Sequence, residues 1–326
     1  MTMVAFCGSA VMMSEYCEAA VRWQTNMDRA LSTAQSQDRP LLIEFTGSDW
    51  CPPCKHLRAN VFPTEAFETY VRGQKLLLVE LDFPRDPQKL TDEQKAHNEK
   101  WRLYYGVTSF PTIVVADAKG APFGVVNGAA PAAPDYLDRL EAQVKHMAEV
   151  KSALAAAAKL SGIERATAEA EAIKYLPISW RMLHTDLVQD IISNDPEDTL
   201  GYARLRHETA VTEAQLRELD GIFSKFSGQG KPEQQDAAIE LALSLLEDTK
   251  WAPVPRLLLN KFLCDSYAIK GDLDNTLKYM RAAVQSAPES NEARKLRPWL
   301  ENMEKNFDAM KRHREEAAAG KPAAEQ

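Results

Sequence analysis

Apolar side chains return every three or four positions between residues 14 and 36, at Val21, Trp23, Met27, Ala30, Leu31 and Ala34, which is the spacing of a helix with one buried face. Asp38-Arg39-Pro40 ends that pattern, because proline cannot continue a helix. Leu41 to Phe45 is then a short unbroken apolar run bounded by turn residues, the mark of a buried strand. A second helix is predicted from Cys51, with Cys54, Leu57, Val61 and Phe62 on its stripe and Pro63 closing it. Leu76 to Phe83 reads as the next strand, and Thr91 with Gln94 forms a capping box for a helix running to Tyr105 and stopped by Gly106. Pro111 to Val115 and Phe123 to Val126 are two further strands joined by the turn Asp117-Ala118-Lys119-Gly120. A helix from Asp135 to Val150 closes the region, with Tyr136, Leu137, Leu140, Val144 and Met147 on one face. Strands alternating with helices in this order make an α/β layer around a central sheet.

After residue 150 the strand pattern stops. Lys151 to Ala172 is alanine-rich and reads as a helical connector, and helical spacing continues to about residue 312. Within it, Leu263, Cys264, Tyr267, Gly271, Leu273, Ala283 and Pro288 fit the large, small, aromatic, turn-glycine and terminating-proline positions of a tetratricopeptide-like helical hairpin. A weaker hairpin is expected over 212–248 with its turn near Gly228 to Pro232, and another ends at Asn194-Asp195-Pro196. Four segments follow: a possible signal remnant at 1–20, an α/β domain at 21–149, an all-α domain at 150–312 and a disordered tail at 313–326, where REEAAAGKPAAEQ has no apolar face.

Composition narrows the function classes. A chain of 326 residues is too long for one ordinary core, so two domains are expected. A net charge of −8 offers neither the basic footprint of a nucleic-acid binder nor a polybasic lipid surface. No run of 18 apolar residues is present, so no integral membrane helix is expected. The opening MTMVAFCGSAVMM is apolar and Glu18-Ala19-Ala20 ends in small residues, as in the latter part of a secretory signal, although the basic n-region is missing. Periplasmic or secreted placement is the expectation, with cytoplasmic as the alternative. Five cysteines are too few for a disulfide scaffold of this size. Cys7 and Cys17 fall in the doubtful leader, and Cys264 fits a small buried position between helices. Trp251, Tyr267 and Trp299 are expected in the core.

Cys51 and Cys54, in Trp50-Cys51-Pro52-Pro53-Cys54-Lys55, are the candidate chemistry. They lie between a strand and a helix, so Cys51 falls at a helix N-terminus, where unpaired N–H groups and the macrodipole favour a thiolate. The C-x-x-C spacing lets both sulfurs meet on one turn, and Pro53 loses no hydrogen bond in the first turn. Half a zinc site is the competing reading, but zinc wants four ligands and only His56 and His97 stand near in sequence. An inert structural disulfide is the other. Far downstream, Ser109-Phe110-Pro111-Thr112 leads into the third strand.

From about Trp23 to Met147 the chain resembles the thioredoxin family, on the residues WCPPCK (50–55), YGVTSFPT (105–112) and VNGA (126–129). TGSDWC (46–51) and LDFP (81–84) resemble most an exported bacterial branch. The resemblance implies a thioredoxin fold with a mixed central sheet flanked by helices, Cys51 as nucleophile, Cys54 as resolving thiol and a cis Phe110–Pro111 peptide beside them. It implies that Ser109, Phe110 and Pro111 receive a substrate chain, that Trp50 either packs on the motif or touches substrate, and that Pro53 and Lys55 support the loop. Glu44 is the candidate buried acid that takes the Cys54 proton, with a longer Gly47-Ser48-Asp49 loop than usual beside it; a solvated place on an edge strand is the alternative. The expected function is thiol–disulfide exchange on protein substrates with disulfides or thiols, with a dithiol partner protein as electron donor or acceptor and no cofactor beyond the cysteine pair. The helical half would bind the client or partner. The alternative is a non-catalytic scaffold whose cysteine pair is structural.

Overall fold

The computed structural model of the protein describes residues 21–223 and 232–318. Two compact units divide at Leu200/Gly201. The expectations for residues 1–20, Cys7 and Cys17 among them, for the turn at Gly228 to Pro232 as far as Lys231, and for the tail over 319–326 lie outside the described residues.

The first unit begins with β1 (Trp23–Gln24) and α1 (Met27–Gln37). Trp23 therefore stands in a short strand rather than on the predicted helix: it pairs with Leu78 and its ring lies against Phe62 and Phe67, while the Asn26 side chain accepts the Arg29 N–H and starts the helix after it. The chain continues through β2 (Leu41–Thr46), α2 (Pro52–Asn60), α3 (Glu65–Gly73), β3 (Leu77–Asp82), α4 (Asp92–Tyr104), β4 (Thr112–Ala116), β5 (Pro122–Asn127) and α5 (Ala133–Ala157). The capping box at the start of α4 forms as read, Thr91 and Gln94 each satisfying the other's backbone. Sequence periodicity had not singled out α3, whose apolar stripe is only Phe67 and Val71 behind the Thr64 cap.

The sheet order is β1-β3-β2-β4-β5, with β2 parallel to β3 and antiparallel to β4. The central strand β2 is buried throughout, as its unbroken apolar run requires. Alternation along it divides two faces. Leu41, Ile43 and Phe45 join Val79, Leu81 and Val114 in a core with Met27 and Ala30 of α1 and Trp101 of α4. Glu44 and Thr46 point to the opposite face.

The compact unit continues fifty residues past the expected boundary at 149/150. Beyond α5 come α6 (Gly162–Ile173), α7 (Ile178–Leu183) and α8 (Thr185–Asn194). They fold back on the sheet layer. The Tyr175 hydroxyl donates to the Phe123 carbonyl (3.1 Å), the Trp180 indole to the Tyr105 carbonyl (2.9 Å), and the His184 ring meets the Pro122 carbonyl (2.8 Å). Trp180 and Leu183 pack against the Phe45–Val79–Trp101 core. The segment 175–184, just after the alanine-rich run that reads as a connector, is thus a brace, and its apolar partners lie too far back in the chain for periodicity to reveal them.

The second unit is helical: α9 (Tyr202–Phe223), α10 (Pro232–Glu247), α11 (Pro253–Lys270), α12 (Leu273–Ser286) and α13 (Asn291–Ala318). The predicted hairpin is α11–α12. Gly271 turns it in the left-handed region (φ 81°), Asp272 caps α12, and Tyr267 stacks on Tyr279 with centroids 5.5 Å apart. Cys264 is buried in this core and burial pushes its thiol up to about 11, so it is a packing residue. Trp299, expected in the core, is 70 % exposed, because it stands one position off the Ala293–Leu296–Leu300 stripe that packs inward. Helix α13 continues through Ala318, past residue 312 where the tail was expected to lose structure; Arg, Glu and Ala at 314–318 are strong helix formers.

Candidate active site

Cys51 is the N-cap of α2 and Pro52 and Pro53 occupy its first turn. Two prolines remove N–H groups that a first turn leaves unpaired in any case. The Cys51 sulfur accepts the Cys54 N–H at 3.3 Å, and the two cysteines form a disulfide with Cα atoms 5.3 Å apart. Only 2 % of Cys51 and 1 % of Cys54 is exposed.

The loop before the helix is held from several sides. The Cys51 N–H donates to the Gly47 carbonyl (2.9 Å), and the Lys55 ammonium donates to the Asp49 carbonyl (2.6 Å). Ser48 bonds Asp82 through both its N–H and its hydroxyl. The Asp49 carboxylate accepts the N–H groups of Asp86 and Arg85, which lower its pKa to about 2 and tie the segment after β3 to the motif. Trp50 donates its indole N–H to the Phe83 carbonyl (2.8 Å), carries the Arg85 guanidinium over its ring (4.8 Å) and meets the Phe110 ring edge-on. A side chain at Gly47 would lie 2.5 Å from that indole, so only glycine leaves room for it.

The Phe110–Pro111 peptide is cis. Ser109 is exposed and Phe110 half-buried, just ahead of the β4 ladder, which starts at Thr112. The Thr112 hydroxyl donates to the Ser109 carbonyl (2.8 Å), and Phe110 stacks on Phe83 at 5.1 Å. The aromatic triad Trp50–Phe83–Phe110 thereby joins the cysteine loop, the end of β3 and the prolyl segment.

Glu44 lies on the central strand, not an edge, and is fully buried. Its Oε2 accepts from Arg58 Nη2 (3.0 Å), and the same nitrogen reaches Glu80 Oε2 at 2.5 Å. Glu44 Oε1 has no hydrogen-bond partner. Burial pushes the Glu44 carboxyl up to about 8; Arg58 and the Thr46 side chain oppose this, while Glu80 and Asp82 add to it. A cavity of about 130 Å³ opens beside Cys54, lined by Thr46, Ser48, Lys55, Arg58 and Glu80. Arg58 and Glu80 were not singled out from the sequence. Glu80 had a signal: it is the one charged residue inside the apolar run LLLVEL, and a charge there needs a partner. The two histidines weighed for zinc turn elsewhere. His56 Nδ1 meets the Asn60 side-chain amide, and His97 Nε2 accepts the Met27 N–H. Among the described residues no three His, Cys, Asp or Glu side chains gather as a metal site.

A disulfide at a helix N-cap, an aromatic-clamped prolyl segment and a buried acid on the central strand of a mixed five-stranded sheet define a thioredoxin-like domain. The family model for the thioredoxin-like domain matches residues 27–154. Among curated proteins, the chain is 32 % identical over 102 residues to the disulfide bond reductase DsbH of Chlamydia pneumoniae, covering 31 % of this chain and 60 % of that protein. It is 33 % identical over 64 residues to the thioredoxin-related protein DsbJ of Chlamydia pneumoniae, covering 20 % of this chain and 18 % of that one. The chain therefore spans less than two thirds of either relative. A solved DsbH oxidoreductase aligns at 25 % identity and a TM-score of 0.37, over 43 % of this chain and 95 % of that one.

Proposed function

We propose that the protein is a thiol–disulfide oxidoreductase acting on protein disulfides. The observation that carries this reading is the Cys51–Cys54 disulfide at the start of α2, with the Cys51 sulfur accepting a helix N–H. The same N–H and the helix dipole would stabilise a Cys51 thiolate once the pair is reduced. That thiolate attacks a substrate disulfide: the substrate S–S bond breaks, one sulfur bonds to Cys51 as a mixed disulfide, and the other leaves as a thiolate that takes a proton from water. Cys54 then attacks Cys51, the Cys51–substrate bond breaks, and the substrate leaves as a thiolate that takes a proton from water. Two electrons pass from the dithiol to the substrate, and Glu44, in its ionised form, takes the Cys54 proton. The name of the DsbH relative favours the reductive direction. Both cysteines are covered, so a protein partner must open the surface locally, and Ser109, Phe110 and Pro111 offer it a segment outside the ladder to settle on. The exchange uses no cofactor beyond the cysteine pair; a dithiol protein closes the cycle.

The resemblance of TGSDWC and LDFP to an exported branch supports work outside the cytoplasm, and among the described residues no helix is long and apolar enough to cross a membrane. The helical second unit is read as the client- or partner-binding part, since stacked hairpins such as α11–α12 make recognition surfaces. Insulin reduction by the wild type and by Cys51→Ser tests the activity. Loss of turnover in the variant is expected; equal rates would remove the reading. Trapping with Cys54→Ser tests the helical unit: clients captured equally well by a chain ending at Leu200 would exclude its role.

A further inference from the structure

We propose that Arg58 and Glu80 are positioning residues for Glu44, which together govern how readily that buried carboxylate takes the Cys54 proton. The inference rests on the reading of Cys54 as resolving thiol and Glu44 as its acceptor. The geometry is a competition for one donor: Arg58 Nη2 lies between Glu44 Oε2 (3.0 Å) and Glu80 Oε2 (2.5 Å). One guanidinium neutralises one carboxylate, so three such groups leave one negative charge over when both acids are ionised. In a buried place that surplus is disfavoured, and a single proton resolves it. Glu80 is the nearer and the more exposed partner, so the proton belongs on Glu44, whose Oε1 is buried without a partner. Arg58 favours the charged Glu44 that can accept a proton; Glu80 draws the guanidinium away and repels that charge.

The groups that act on the acid come from four elements. Helix α2 supplies Arg58, strand β2 supplies Thr46, strand β3 supplies Glu80 and Asp82, and helix α5 supplies Tyr136, whose hydroxyl is also buried and unpaired. Asp82 is already engaged by Ser48. Cys54, Arg58 and Glu80 line one small cavity, which places the resolving cysteine beside the guanidinium that Glu44 and Glu80 share. Arg58 itself is held in place by packing over the rings of Trp23 and Phe62, at 5.1 and 5.6 Å.

In the resolving step the Cys54 S–H bond breaks, its proton goes to Glu44, and its electron pair forms the bond to Cys51 as the Cys51–substrate bond breaks. Ellman's disulfide follows this directly: reduced protein releases one aromatic thiolate when Cys51 attacks and a second when Cys54 resolves the mixed disulfide. The pH profile of the second phase is the readout. Glu80→Gln should move that profile to lower pH by about one unit, and Arg58→Met to higher pH by a similar amount, with Arg58→Lys partly restoring it. Glu44→Gln should slow the phase about 100-fold and abolish the shift produced by Glu80→Gln. Profiles that stay at the wild-type position in Glu80→Gln, or that move the same way in both variants, overturn the proposal. Glu80→Gln preserves shape at a partly exposed site and serves if Arg58→Met fails to fold. Cys51→Ser that still reduces insulin would remove the underlying function; a normal wild type with an unmoved Glu80→Gln profile would remove this inference alone.

Discussion

Trp50 and Phe110 stand sixty positions apart in the chain and meet edge to face, with ring centroids 5.8 Å apart and planes at 79°. This contact fastens the prolyl segment to the cysteine loop. An edge-to-face pair contributes about 1 kcal/mol beyond its buried area. A double-mutant cycle with Trp50→Leu and Phe110→Leu, read by chemical denaturation, should return a coupling of that size. Additive losses would show that the two rings stabilise the fold independently.

Gly47 makes the Trp50 position possible. A methyl group there would lie 2.5–2.8 Å from the indole. Gly47→Ala should displace the ring, break its bond to the Phe83 carbonyl and destabilise the first unit by about 2 kcal/mol. The displaced indole N–H resonance and the shifted denaturation midpoint check this together; an unmoved resonance would mean that the backbone yields instead.

Glu44 sets a pH dependence of stability in the oxidised protein. Its folded-state pKa is near 8 against an ordinary value of 4.5. Below 4.5 both folded and unfolded chains hold the proton; between 4.5 and 8 the unfolded chain loses it and the folded chain keeps it. Stability should therefore fall as pH rises through that window, by about 1.4 kcal/mol per unit at the steepest from this group alone. Glu44→Gln should remove that component. Denaturation midpoints from pH 5 to 9 that run parallel in the two proteins would contradict it.

Trp180 lies beyond the family match at 27–154, yet it packs on the sheet core and donates to the Tyr105 carbonyl at 2.9 Å. Trp180→Ala should destabilise the first unit by about 3 kcal/mol, as truncation of a large core aromatic does. A loss below about 0.5 kcal/mol would show that α6 to α8 only lean on the domain, since surface substitutions stay within that range.

Gly271 turns the α11–α12 hairpin at φ 81°. Gly271→Ala should lower the melting of the helical unit by an amount equivalent to about 1–2 kcal/mol, because a Cβ is disfavoured in the left-handed region. The proposed insulin reduction should be unchanged in this variant at a temperature where both units are folded. A melting curve identical to wild type would place the turn's rigidity elsewhere.

Much of the α/β layer was legible in the chain because its signals are local. Leu41 to Phe45, LLLVELD and PTIVV are apolar runs too long for a loop and too short for a helix, and Thr91 with Gln94 marks a helix start within four residues. The cysteine pair is equally local, since both sulfurs and the first turn of the helix that Cys51 caps come from one short stretch of chain. Its surroundings are not. Arg58 becomes meaningful only when β2 and β3 align Glu44 beside Glu80, and Trp180 only when a helix far along the chain returns to Tyr105.

The sequence by itself determined the strand runs, the dithiol motif and the helical hairpin around Gly271, because hydrophobic spacing, proline and glycine act on the chain within a turn or two. The tertiary structure decided which charges share a guanidinium, which ring clamps the motif and how far the first unit extends. Those outcomes depend on burial and on through-space distance, and neither is a property of neighbouring residues.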